Sequence, residues 1–402
     1  MKYVVVLCDG MSDYPLPELD GKTPMEYAKK PYIDKMAKNG ELFLVKTVPD
    51  GFKPGSDVAN LSVMGYAPQK YYTGRSPLEA ASIGVELLEN ETAFRANLVT
   101  LSGEGEYESL TMEDYSSGEI STEEANELIE YVKEYLQTDV TALYAGVSYR
   151  HLMVWKDYEN TCPLTPPHDI LGKKIKGYLP ENEEILNIMK KSRELLKEHP
   201  INQKRRAEGK NTADSLWIWG EGKSALVPAF SEVHNMRGAV VSAVDLVKGI
   251  GYLAEMEVLE VEGVTGNIDT NFEGKAEAAL SALKNGCDYV YVHLEAPDEC
   301  GHQGQAKEKA HSIEIIDEKI VKYICDGLEN AGEEYRVMIL PDHPTPISIR
   351  THAADPVPCL IYDSRKKSDG KETFTEKSCA GKVFGVGHKL INYFFEREDF
   401  VK

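Results

Sequence analysis

The chain has 402 residues, 42% of them hydrophobic and 28% charged, with a formal net charge of −21. That length predicts two or three domains, and the composition is that of a globular protein. The negative charge argues against nucleic acid and anionic membrane surfaces as partners, and no apolar run reaches the roughly 18 residues that span a bilayer.

The opening residues lead straight into a strand, with no basic leader, which predicts no secretory signal. Seven cysteines are scattered without a CxxC pair, which predicts a reduced, cytoplasmic setting. Residues 3–7 are a β-branched run typical of a strand buried on both faces, and it ends at Cys8-Asp9-Gly10. Thr23-Pro24 opens a helix through about residue 39, and residues 42–48 read as a second strand. After Pro54-Gly55, residues 56–65 form a capped helix that ends in glycine, and another helix covers 77–83. This alternation predicts an α/β domain with a mainly parallel sheet flanked by helices.

From about residue 91 the texture changes. Strands are predicted at 96–101, 140–144, 151–155, 215–219 and 239–242. A helix over 122–136 has Ser121 and Glu124 in capping-box spacing. A charged helix spans 181–198, and residues 202–214 read as a loop in which Lys204, Arg205 and Arg206 form a solvated run. Residues 256–261 form a strand. The first texture then returns: helix 272–285, strand 289–294, helix 305–330, strands 336–340 and 359–362, and helix 388–394. Residues 1–90 with 265–402 are thus expected to form one domain, with a smaller α/β (α+β) domain, 91–264, inserted in it.

Good metal ligands collect at predicted strand ends. Asp298 and His302 are four apart, a spacing that puts both on one helical face. Asp342-His343 follows another strand, His352 precedes one, and Asp9 ends the first. Singly, each has an ordinary structural reading, such as a strand-end turn for Asp9-Gly10. Jointly, six carboxylates and imidazoles fit two divalent ions about 4 Å apart, an arrangement used for phosphoryl transfer. Mixed oxygen and nitrogen donors suit Mn²⁺ or Zn²⁺, or Mg²⁺ with fewer histidines. Ser56 is the candidate nucleophile, although a serine at a helix start is ordinarily an N-cap. Gly220-Glu221-Gly222-Lys223-Ser224 superficially suggests a P-loop, but Trp217 stands where the motif needs glycine, so no nucleotide is expected. Trp217 and Trp219 alternate as core residues, and His168-Asp169 falls in a proline-stiffened turn.

Several stretches resemble one family. They are Val5-Val6-Leu7-Cys8-Asp9-Gly10, Pro54-Gly55-Ser56-Asp57, Gly74-Arg75-Ser76-Pro77-Leu78-Glu79-Ala80, Phe94-Arg95-Ala96-Asn97-Leu98, Ser148-Tyr149-Arg150-His151-Leu152, Asp245-Leu246-Val247-Lys248-Gly249 and Asp342-His343 through Pro358. Together they resemble the archaeal-type cofactor-independent phosphoglycerate mutases of the alkaline phosphatase superfamily. The resemblance implies an alkaline-phosphatase-like catalytic domain and a substrate-binding lid made by the insert. It implies Ser56 as the phosphorylated nucleophile, one metal on Asp298, His302 and His352, and the other on Asp9, Asp342 and His343 with Ser56. Arg95, Arg150, His151 and Lys248 would bind the phosphate and carboxylate or move a proton. The implied reaction interconverts 3-phosphoglycerate and 2-phosphoglycerate through a phosphoserine, without 2,3-bisphosphoglycerate, in a monomer or small homo-oligomer. Its alternative is another phosphotransferase or phosphatase of the superfamily, such as a homoserine-kinase-like enzyme. The larger bacterial-type enzymes carry Asn-Ser-Glu-Val-Gly-His around the nucleophile. Here Gly55-Ser56-Asp57-Val58-Ala59-Asn60 keeps the serine and few of its neighbours.

Overall fold

The apolar opening of the chain forms the strand Lys2–Cys8, with Val4 to Cys8 at 1% exposure or less. In the computed structural model, which describes residues 1–159, 162–366 and 368–401, this strand lies inside an eight-stranded sheet. The strand order is Val383–Phe384, Glu41–Val45, Val357–Asp363, Tyr335–Leu340, Lys2–Cys8, Tyr289–Leu294, Gly238–Val241, Glu257–Val258. Pairing is parallel except at Val357–Asp363, which runs antiparallel to both neighbours. Leu7 pairs with both His293 and Leu340, so three parallel strands end at one edge. Loops beyond the carboxyl ends of parallel strands are where α/β proteins place ligands. The core of this unit joins Val4, Val6, Val290, Val292, Val337 and Ile339 to helix residues such as Ala279, Leu283, Ile313 and Ile320.

The chain divides into two compact units, Met1–Tyr72 with Leu226–Lys402, and Thr73–Ala225. These boundaries differ from 1–90, 91–264 and 265–402. The helix Ser76–Ser82 belongs to the smaller unit, where Ala80 packs on Ala93, Leu152 and Val154. Residues 226–264 belong to the larger, because Gly238–Val241 pairs in parallel with Tyr289–Leu294. The smaller unit has an antiparallel sheet in the order Thr111–Asp114, Glu91–Ser102, Arg150–Lys156, Thr141–Val147, and Ser215–Lys223 also pairs with Glu91–Ser102. The helices Thr122–Leu136 and Glu183–Leu196 bury Leu128, Val132, Ile185 and Met189 in its core, with Phe94 and Trp217.

Local differences from the sequence reading have local causes. The helix expected over 23–39 is two, Pro24–Tyr27 and Pro31–Ala37, because Lys30 precedes proline and leaves the helical region at φ −131°. The helix expected over 305–330 contains a π-helical stretch, Ile316–Lys322, between Ala306–Ile315 and Tyr323–Asn330. Within it, Asp317 accepts from the backbone amides of Tyr32 and Ile33, which opens the next helix over. The basic run is a helix, Pro200–Ala207, capped by His199. Its Arg205 is 4% exposed, pairs with Glu124 and donates to Ser117 O and Asn211 O, so this cation is structural. The P-loop-like residues 220–223 continue the strand Ser215–Lys223. The helix Asp245–Leu253 had no clear signal, since it holds two glycines. One of them, Gly251, lets it close on the sheet, where a Cβ would lie 2.4 Å from Val240 Cγ1. All seven cysteines are free and buried. Among the described residues, no helix is long and apolar enough to cross a membrane.

His234 is 2% exposed, and neither ring nitrogen has a hydrogen-bond partner. It packs on Phe230 and against the edge of Phe395. Burial pushes its pKa down to about 4, helped by Arg397. The unfolded chain takes up this proton near the ordinary value of about 6.5, so the contribution to stability is full above that pH and is lost as pH falls toward 4. Urea unfolding of wild type and His234→Phe across pH 7 to 4 should therefore show a steeper acid loss in wild type, by roughly 2 kcal/mol.

Candidate metal centre

The three parallel strand ends deliver Asp9, His293 and Asp342 to one place. Asp9 follows Lys2–Cys8, Asp342 follows Tyr335–Leu340 by one proline, and the helix Ala296–Gln303 after Tyr289–Leu294 carries Asp298 and His302. Exposure is 1% for Asp9, 5% for Asp298 and 0% for Asp342 and His343. The expected i,i+4 pair faces one way, with His302 Nε2 3.2 Å from Asp298 Oδ2. His352 arrives from its loop, with Nε2 3.0 Å from His302 Nε2 and 3.7 Å from Asp298 Oδ1. Its ring stacks on His343 with centroids 3.9 Å apart.

Two sets of ligand atoms, each within 4.8 Å of one another, emerge among the described residues: Asp298, His343 and His352, and Asp9, Asp342 and His343. His302 adjoins the first. His343 is common to both, where the sequence reading gave it to one.

The donor chemistry fits divalent cations. Burying three carboxylates together is costly unless positive charge balances them. Burial and the charges of Asp342 and Asp298 push the Asp9 carboxyl well above its usual range. The hydrogen bond to Asp298 raises His302 to about 9. Asp9 Oδ1 is buried with no hydrogen-bond partner, the state of an oxygen kept for a ligand.

Ser56 is the first residue of the helix Ser56–Val63, and Gly55 occupies the cap position. The hydroxyl is thus not used as an N-cap. It donates toward Asp9 Oδ2 at 3.4 Å and lies 3.1 Å from His343 Nε2. Gly10 has φ +60°, and a Cβ there would fall 2.5 Å from Asp298 Oδ1 and 2.6 Å from Thr345 Oγ1, so only glycine lets the two strand ends approach. Its amide donates to Asp342 Oδ1 at 3.3 Å.

Four supporting residues, Asn60, Tyr291, Thr345 and His293, escaped the sequence reading. Asn60 donates to Ser56 O at 2.8 Å and to Asp342 Oδ2 at 2.9 Å, and accepts from the Tyr291 hydroxyl at 2.6 Å. Its i+4 spacing from Ser56 was the available signal. Thr345 donates to Asp298 Oδ1. His293, a lone imidazole in a run of tyrosine, valine and leucine, lies 3.0 Å from Asp9 Oδ2.

The expected substrate residues divide between the two units. Arg95, Arg150 and His151 belong to the smaller unit, on paired strands where Ala96 faces His151 and Asn97 faces Arg150. Arg95 lies over the Trp219 ring at 4.4 Å, with Nε 2.9 Å from Glu79 Oε2. His168 packs edge-on against Trp219 and Tyr115. Gly146 N–H donates to His151 Nδ1 at 3.1 Å, and Nε2 is buried without a partner. Burial drives this imidazole down to about 3, so it is neutral near pH 7. Arg150 is exposed beside the Tyr149 ring. Lys248 belongs to the larger unit and pairs with Glu260 at 2.8 Å.

A model of the 2,3-bisphosphoglycerate-independent phosphoglycerate mutases matches residues 37–202. The mutase of that name from Methanosarcina barkeri is 49% identical over 393 residues, 96% of either chain. The chain belongs to this family. It is accordingly an enzyme of the isomerase class. A probable family member from Geobacter sulfurreducens is 48% identical, covering 99% of this chain and 100% of its own. A solved Pyrococcus horikoshii protein superposes with a TM-score of 0.81 at 30% identity, covering 99% of this chain and 98% of its own. The cofactor-independent phosphoglycerate mutase of Thermoplasma acidophilum has the same fold, with a TM-score of 0.67 at 24% identity over 98% of this chain and 99% of that one.

Asn60 is fully buried and joins three groups. Asn60→Ala strands the Tyr291 hydroxyl and one Asp342 oxygen. It should lower stability by about 1–3 kcal/mol in urea unfolding.

Proposed function

We propose that this mutase-family enzyme interconverts 3-phosphoglycerate and 2-phosphoglycerate through a phosphoserine on Ser56. The observation that carries the reading is the Ser56 hydroxyl, free of any capping role and within 3.4 Å of both Asp9 and His343. The names of relatives 46–49% identical over nearly the whole chain support the mutase over a homoserine-kinase-like activity.

Asp298, His302 and His352 would hold one divalent ion, and Asp9, Asp342 and His343 with Ser56 the other, as Mn²⁺, Zn²⁺ or Mg²⁺. Bound there, the ions would lower the hydroxyl pKa of Ser56 and neutralise charge on the transferring phosphoryl group. The first amides of the Ser56–Val63 helix point the same way electrostatically, since a helix N-terminus favours an anion. In the first half-reaction, Ser56 Oγ forms a bond to phosphorus as the bond to the glycerate 3-oxygen breaks. That oxygen takes up a proton in place of the one Ser56 gives up. Glycerate then reorients without leaving, its 2-hydroxyl attacks the phosphoserine, and Ser56 regains its proton. No water is consumed, so water must be kept out while the phosphoserine exists.

The smaller unit, as a substrate-binding lid, would meet that need. Arg95 and Arg150 would bind the phosphate and carboxylate. His151, neutral with a partnerless Nε2, would donate a hydrogen bond to the substrate. Lys248 would add a fourth contact after leaving Glu260.

A coupled enolase assay with added Mn²⁺ should show conversion of 3-phosphoglycerate without phosphate release. Ser56→Ala should lower kcat by at least about 10³-fold while keeping its Mn²⁺. Full turnover in the alanine variant would eliminate the phosphoserine route, and phosphate release in wild type would make the enzyme a phosphatase.

A further inference from the structure

We propose that Ser242 and His293 are a positioning pair that holds one oxygen of Asp9 so that the other faces a metal ion. The inference rests on the metal-centre reading above. His293 lies in the strand Tyr289–Leu294, fully buried and in register with Leu7, two residues before Asp9. Its Nε2 is 3.0 Å from Asp9 Oδ2, and its Nδ1 is 3.1 Å from Ser242 Oγ. Ser242 directly follows the neighbouring strand Gly238–Val241 and is 1% exposed.

The direction of each hydrogen bond follows from the donors available. Val244 N–H donates to Ser242 Oγ at 2.9 Å. The Ser242 hydroxyl hydrogen is free for His293 Nδ1, and Nδ1 accepts it because the carboxylate oxygen Asp9 Oδ2 takes a hydrogen from the other ring nitrogen. The ring hydrogen therefore sits on Nε2 and points at Asp9 Oδ2. That oxygen also receives the Ser56 hydroxyl, while Oδ1 has no hydrogen bond and lies 3.7 Å from His343 Nε2. Lys275, fully buried, fixes the same stretch by donating to His293 O at 3.1 Å. One carboxylate oxygen is thus tied into the protein, and its buried twin is left without a hydrogen bond. Partners of this kind set the orientation of a ligating group, and losing one weakens metal affinity by roughly 10–100-fold.

His293 is a positioning residue here, so the readout is metal affinity. The full-length protein would be stripped of metal and titrated with Mn²⁺, with free Mn²⁺ followed by electron paramagnetic resonance and folding checked by circular dichroism. Wild type should bind two ions. His293→Phe, which keeps the ring and removes the donor, should weaken one of them by about 10–100-fold. His293→Gln, whose amide can still donate to Asp9, should recover most of that loss. Ser242→Ala should weaken the same ion by about 10-fold, and it decides the matter alone if His293→Phe does not fold. Unchanged affinity in Ser242→Ala overturns the proposal. So does a loss in His293→Phe that glutamine fails to recover and Ser242→Ala does not share, since His293 would then be a direct ligand. Wild type that binds no pair of Mn²⁺ ions would instead remove the metal-centre reading on which the proposal stands.

Discussion

Three buried carboxylates that must share one small volume constrain the rest of this molecule. Asp9, Asp298 and Asp342 are each at most 5% exposed. Their mutual repulsion in a poorly solvated place has to be met by positive charge or by hydrogen-bond donors. The surroundings are built accordingly. Four imidazoles, the Asn60 amide, the Thr345 hydroxyl and the Gly10 amide all turn toward these oxygens. Asp9 Oδ1 is left buried without a hydrogen bond, 3.7 Å from His343 Nε2.

The fold makes that concentration of charge possible. Parallel strands with matched register bring residues 9, 293 and 342 to one edge, although residue 9 lies hundreds of positions from the other two in the chain. Behind them a second buried ion pair, Lys309 with Asp13 at 2.8 Å, ties the loop after the first strand to the loop after Tyr335–Leu340. Lys309 Nζ also donates to Ser12 O and Thr345 O. A fully paired cation of this kind locks two loops in one arrangement, because either partner alone would be a buried, uncompensated charge.

Ser56 illustrates how a modest local feature acquires chemical meaning. A serine before a helix commonly spends its hydroxyl on a backbone amide. Here the helix starts one residue earlier relative to that pattern, and glycine takes the cap. The hydroxyl is released to Asp9 and His343, and Asn60 one turn later holds the serine carbonyl. The proposed phosphoserine route draws on that freed hydroxyl.

The order of residues determined the larger part of the architecture by itself. Continuous apolar runs specified the buried parallel strands, and the candidate ligands stood out jointly, because several carboxylates and imidazoles border such runs. As candidates, Asp9, Asp298, His302, Asp342, His343 and His352 were legible at or near the ends of such runs, and Ser56 as the serine after Pro54-Gly55 at a helix start. Tertiary structure alone decided the rest. The unit boundaries at 72/73 and 225/226 depend on which sheet a short strand joins, and strand pairing over long separations leaves no local trace. The sharing of His343 between two ligand sets, and the service of Asn60, Ser242 and His293, likewise depend on distances across strands. Arg205 read as a solvated cation and is buried, because its partner Glu124 lies 81 residues away. Periodicity and capping are local physics and can be read along a chain. Which polar group satisfies which buried partner is fixed only when the chain closes on itself.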